Sequence, residues 1–170
     1  MQRFIDALVS AEKSPLVPDE CDYWGALIGS WDLDYVEARG TPKERHVAGE
    51  WHFARVLEGL GIEDIFICPA RAARTDAGVG EYGATLRLYN PQKRAWDMVY
   101  GCRGSMSRFT GTKEGGRVVL TNNHRRTTRW VFTDIAADRF HWQNESVQKD
   151  GTVRIWCEVF ATRQAAPSQP

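Results

Sequence analysis

The sequence predicts an all-β fold, about ten antiparallel strands closing into a barrel behind a short helical lead. Three observations carry that expectation. From Gly29 to Arg163 apolar residues recur with period two in short runs. Gly, Pro, Asn and Asp clusters separate the runs and suit tight hairpins, because these residues tolerate the required dihedrals. No helical pattern alternates with the runs, so successive strands are antiparallel neighbours. A meander that closes on itself is favoured over a parallel sheet, with a flat sandwich as the alternative.

The lead, residues 1–28, carries Phe4, Ile5, Leu8 and Val9 on one helical face. Ser14-Pro15 and Val17-Pro18 break that helix. A second helical turn is expected from Pro18, with Tyr23, Trp24, Leu27 and Ile28 as its buried stripe, ending at Gly29. The expected strands are 31–38, 45–57, 62–68, 80–89, 95–101, 105–112, 117–122, 127–133, 139–147 and 152–162. Residues 29–163 therefore form one barrel domain, and the polar 164–170 tail is expected to fray.

A chain of 170 residues fits a single core without metal or disulfide staples. Lys+Arg and Asp+Glu are equal at 22 each, so no global field recommends a nucleic acid or an anionic membrane as partner. The four Cys show no metal or redox spacing and read as reduced thiols of a soluble, cytoplasmic protein. Seven Trp are more than such a chain usually holds and need something to pack against.

Gly29-Ser30-Trp31, opening the first strand after a short helical segment, resembles the G-x-W start of the calycins, the lipocalins and their relatives. In that superfamily an Arg of the last strand packs over the Trp ring, a role the resemblance gives to Arg163 through cation–π attraction. Gly49-Glu50-Trp51-His52-Phe53, Val56-Leu57-Glu58-Gly59 with Asp64, the run Glu81 to Tyr89, Ala95-Trp96, the run Arg129 to Ile135, Phe140-His141-Trp142 and Trp156-Cys157-Glu158 are together similar to an uncharacterised bacterial family known as DUF1579. The resemblance implies a ten-stranded calycin (lipocalin-like) barrel and carries no uniform activity.

Alternation assigns the faces of each strand. Trp51, Phe53, Arg55 and Leu57 are expected inward, as are Trp96, Met98 and Tyr100, then Phe140 and Trp142, and finally Trp156, Glu158 and Phe160. In the fourth run either Thr85, Arg87 and Tyr89 line a cavity or Leu86 and Leu88 fill a dry core. Candidate ligand-binding residues are thus Trp51, Phe53, Arg55, Tyr89, Trp96, Met98, Trp142 and Trp156. The candidate acid/base residues are Asp64, Arg87, Tyr100 and Glu158. Buried charges must be paired, so Arg55 and Arg87 should meet Asp64, Glu158 or a ligand carboxylate; an internal salt-bridge network is the competing use of the same residues.

His46 and His52 share a face but lie about 20 Å apart, too far to ligate one metal. Haem would need one inward His, whereas His52 and His141 fall opposite the aromatic faces. His124 is expected in a loop at the barrel mouth, and Cys102-Arg103 in a turn. No nucleophile elbow, P-loop or dinucleotide motif occurs. The expectation is a container without a cofactor or metal. It would bind a small flat aromatic or polycyclic molecule and act on it as an isomerase, cyclase or lyase; the alternatives are a carrier or sensor, and a barrel filled by its own side chains. The amphipathic lead helix or the mouth offers a surface for a homodimer.

Overall fold

The computed structural model describes residues 1–76 and 78–165. After helix α1 (Gln2–Leu8) and a two-residue strand β1 (Val9–Ser10) come β2 (Gly29–Glu37), β3 (Arg45–Val56), β4 (Gly61–Cys68), β5 (Glu81–Asn90) and β6 (Ala95–Cys102). The chain continues with β7 (Ser105–Glu114), β8 (Arg117–Asn122), β9 (Thr128–Thr133), β10 (Arg139–Val147) and β11 (Val153–Arg163). Each strand from β2 onward pairs antiparallel with the next, and β11 returns to β2. Ten strands thus close an up-and-down barrel, as the alternation predicts.

The lead does not form the second helix that its apolar stripe suggested. Two short 3-10 turns, Asp19–Cys21 and Gly25–Leu27, stand in its place. They are enough to drive Cys21, Trp24 and Leu27 into the barrel end, where all three are buried with Val17. Trp96 donates its indole N–H to the Cys21 carbonyl at 2.8 Å, and Trp31 donates to Leu27 at 2.7 Å, so the plug is tied to the wall it fills. Phe4 and Ile5 of α1 stay exposed, and the lead instead adds β1 beside Val56 and Arg55, a pairing too short to leave a period.

Gly59 fits this junction for steric reasons. Its φ is +76°, and a Cβ there would lie 2.3 Å from the Glu12 carbonyl oxygen and 2.4 Å from the Ser14 nitrogen. Arg163 closes the same end. Its guanidinium lies 4.0 Å from the centre of the Trp31 ring and donates to the carbonyls of Ile28 and Ala26 at 2.7 and 2.6 Å. Gln164 is also held, its N–H donating to Ser30, while residues 166–170 of the expected tail lie outside the described residues.

The inward faces follow the expected alternation with two corrections. Leu57 has left the strand: it sits at φ +54° and is 42% exposed. On β11 the inward set is Cys157, Val159 and Ala161, not Trp156, Glu158 and Phe160; Trp156 is 50% exposed. The reason is volume. β11 is apolar on both faces, and the residues paired with it on β2, Tyr35, Leu33 and Trp31, already fill this side with bulk, leaving room only for small side chains. In β5 the polar alternative holds, with Thr85 and Arg87 buried and Leu88 outside.

Candidate functional site

Two polar arrangements lie inside the barrel at different depths. The deeper one is the pair formed by Arg87 of β5 and Asp64 of β4, both buried. Arg87 Nη1 donates to Asp64 Oδ2, and Trp51 Nε1 donates to Oδ1 at 2.7 Å. The guanidinium also lies 4.5 Å from the Trp24 ring centre and 5.6 Å from that of Phe53. The carboxylate, the indole N–H and the aromatic faces offset part of the hydration that both charges lost, while Arg87 Nε stays without a partner among the described residues.

Above this pair, toward the end away from the plug, the barrel holds a cavity of about 100 Å³. Aromatic side chains from six strands face it: Tyr35, Trp51, Phe66, Tyr100, Trp130 and Trp142. Trp51 is the hub of the group, with its ring 5.0 Å from Phe66, 5.9 Å from Trp142 and 5.8 Å from Phe140. Because its N–H is held by Asp64, the deeper ion pair orients the ring that the cavity uses. Glu81, Thr85, Asn144 and Cys157 supply the polar part of the lining.

Each polar group has an assignable state. Tyr100 donates to Glu81 Oε2 at 2.7 Å, and burial, reinforced by that carboxylate, pushes the phenol far above its ordinary pKa. Tyr100 is therefore a fixed donor, not a base. Burial likewise raises Tyr35, whose hydroxyl bonds the Cys157 sulphur. Burial also raises the Cys157 thiol, against the opposing pull of hydrogen bonds from Tyr35 and Asn144. Two buried atoms of the wall, Trp142 Nε1 and Asn144 Oδ1, have no partner among the described residues. Gly83 makes room for the rim, since a Cβ there would lie 2.5 Å from the Tyr100 hydroxyl.

Of the residues expected from sequence to do acid/base work, only Tyr100 reaches the cavity. Asp64 and Arg87 lie beneath it and are spent on each other. Glu158 faces the opposite way, on the outer wall. There it accepts from Gln143 at 2.8 Å and from Arg39 at 3.2 Å, and it lies 3.0 Å from His141 Nε2, a ring that stacks on Phe160. Burial pushes the Glu158 carboxyl up, but the hydrogen bonds from Gln143 and Arg39 outweigh it and the net shift is down.

Among the expected ligand-binding residues Trp51 and Trp142 line the cavity. Phe53, Trp96 and Met98 are packed in the core and contribute nothing to its wall. Arg55 instead pairs with Asp22 of the plug at 2.8 Å, and the Tyr89 hydroxyl donates to Cys21. Trp156 lies outside, under the Arg154 guanidinium at 3.7 Å. Thr85, one of the two linings offered for the fourth run, borders the cavity, whereas Tyr35, Phe66, Glu81, Trp130, Asn144 and Cys157 were not anticipated. The signal that could have found them is position: each lies toward the strand end remote from the plug, as the pairings of Tyr35 with Val159, Phe66 with Gly83 and Trp130 with Asn144 show.

The imidazoles are elsewhere. His52 faces outward and bonds Ser30 Oγ at 2.9 Å, His46 lies between Asp34 and Glu44, and His124 is in the 123–127 loop. Among the described residues no group of three or more His, Cys, Asp or Glu is gathered to hold a metal, and no helix is long and apolar enough to cross a membrane.

No protein-family model and no curated protein matches the chain. Among solved structures it is similar to the crystal structure of Rv2717c from M. tuberculosis, with a TM-score of 0.60 over 91% of this chain and 100% of that one. The two sequences are 12% identical, so the likeness shows a shared barrel fold and nothing finer. The similarity to calycins and to DUF1579 rests on the quoted residues alone.

Proposed function

We propose that the barrel binds a small ring-shaped organic molecule in the aromatic cup at its open end. One observation carries the reading: six aromatic side chains border free space, whereas the other end of the same barrel is filled by Val17, Cys21, Trp24 and Leu27 of the lead. Ligand sites are concave and largely apolar, with a few placed polar groups, and this cavity has that composition. Its size narrows the ligand. A cavity of about 150 Å³ accepts one benzene ring, so about 100 Å³ suits a single ring after slight relaxation, and the polycyclic part of the sequence-based expectation is too large to be enclosed. The Trp31–Arg163 closure and the plugged floor support a lipocalin-like, calycin-type container.

The carrier or sensor form of this reading needs only the cup. Catalysis of the isomerase, cyclase or lyase kind would fall to the rim pair: Glu81 could accept a proton while Tyr100, kept protonated, donates a hydrogen bond to developing charge. Isothermal titration with phenol and naphthalene tests the binding reading. Phenol is expected to bind and naphthalene to bind more weakly or not at all. No heat from either would favour a barrel that serves only as a packed module.

A further inference from the structure

We infer that the ring this cup takes is a cyclic amide or imide, read through a donor and an acceptor on β10. This rests on the binding reading above and adds the chemistry of the ligand's edge. Trp142 and Asn144 are two residues apart on β10 and both line the cavity. The Trp142 Nε1–H is a donor only, and the Asn144 Oδ1 an acceptor only. Both are buried and neither meets a partner among the described residues.

Of the Asn144 amide it is the oxygen that is buried without a partner, and it stands as an unused acceptor. Four other buried atoms, Trp24 Nε1, Arg87 Nε, Arg129 Nε and Glu145 Oε1, also lack a hydrogen-bond partner among the described residues, the last of them ion-paired to Arg129, but none of these residues borders the cavity. Trp142 and Asn144 both border it.

A buried donor and a buried acceptor without partners are costly in the empty protein, and a ligand that meets both removes that cost. A ring C=O accepts from Trp142 and the neighbouring ring N–H donates to Asn144, while the ring faces lie against Trp51, Trp130 and Phe66. A plain arene satisfies neither atom. An N-alkylated lactam satisfies only the first.

Three one-ring probes separate these cases in a titration followed by the indole N–H resonances of the intact chain: 2-pyridone, N-methyl-2-pyridone and benzene. 2-Pyridone is expected to bind about tenfold tighter than N-methyl-2-pyridone, the return from one hydrogen bond to an otherwise unpaired group. Asn144→Leu should erase that preference, and Trp142→Phe should erase the advantage of N-methyl-2-pyridone over benzene while leaving 2-pyridone its bond to Asn144, each variant first shown to melt like the parent. Equal binding of all three probes overturns the amide-edge inference and leaves the ring-binding reading standing. Binding of none overturns both. Loss of preference in a folded Asn144→Leu variant confirms the acceptor, and an unchanged preference there contradicts it.

Discussion

At the plugged end of the barrel, Trp24 of the lead, Trp31 and Trp96 are fully buried among Val17, Cys21 and Leu27, with Trp24 set edge-on to Trp96 at 6.3 Å. At the open end Trp51, Trp130 and Trp142 stand just as closely, with Trp130 and Trp142 5.8 Å apart, yet about 100 Å³ stays free among them. The two ends share residue types, strand count and alternation. What separates them is the lead segment, which enters one end only. Aromatic content therefore does not by itself make a cavity; a cavity arises where the chain supplies aromatic walls and withholds the segment that would fill them.

The largest way to disturb this comparison is to break the ion pair that separates the two ends. Asp64→Ala leaves Arg87 charged and buried, and should cost about 3–5 kcal/mol in urea unfolding. Replacing both partners, Arg87→Met with Asp64→Leu, should recover only part of that loss, because the Trp51 indole N–H then stays buried without its acceptor. Full recovery in the double variant would contradict the role of Asp64 in holding Trp51.

At the open end Gly83→Ala should cost about 1–3 kcal/mol at most, since its Cβ would force Tyr100 off Glu81. Its main expected effect is on ligand affinity, read by titration with phenol. The same substitution would leave the plug untouched, so the indole signals of Trp24, Trp31 and Trp96 should keep their positions.

A pH series sharpens the contrast between inside and outside. On the outer wall, hydrogen bonds from Arg71 hold the Glu50 carboxyl down at about 2 in the folded chain. The ordinary carboxyl lies near 4.3 when unfolded, so Glu50 contributes its full stabilisation above about pH 5 and loses it as the pH falls toward 2. The urea midpoint should decline over that window, and Arg71→Met should decline less. The smallest effect is expected at Trp156→Ala, about 1 kcal/mol or less, because that indole is half in solvent, donating to Ser146 Oγ and lying under the Arg154 guanidinium.

The fold was legible because period two, turn residues and strand length all agree from Gly29 to Arg163, and nothing in the chain competes with them. That buried charges would pair could be foreseen from the cost of burying either alone, but not which would meet: Arg87 pairs with Asp64, whereas Arg55 pairs with Asp22 and Glu158 with Arg39. The site was legible only in part. Trp51, Trp142 and Tyr100 have the right face and the right height, but alternation reports face and says nothing of height along the barrel, so Phe53, Trp96 and Met98 were indistinguishable from them. Glu158 and Trp156 failed for a different reason. In Ile155-Trp156-Cys157-Glu158-Val159-Phe160 both faces are apolar, and what decides between them is the bulk contributed by strands far away in sequence. Trp156 itself falls at the irregularity where Asn144 pairs with Cys157 and Glu145 with Ile155, skipping it. Glu81 and Asn144 carry no local pattern at all; they became visible only when ten strands were closed around them.

The most direct test is a nitrogen-15 NMR titration of the seven tryptophan indole N–H signals with 2-pyridone, assigned by single Trp→Phe substitutions. The account predicts saturable shifts at Trp142, Trp130 and Trp51, with Trp24, Trp31 and Trp96 unmoved beneath the Arg87–Asp64 pair and Trp156 unmoved outside. Shifts led by Trp24, Trp31 or Trp96, or no saturable shift at any indole, would contradict it.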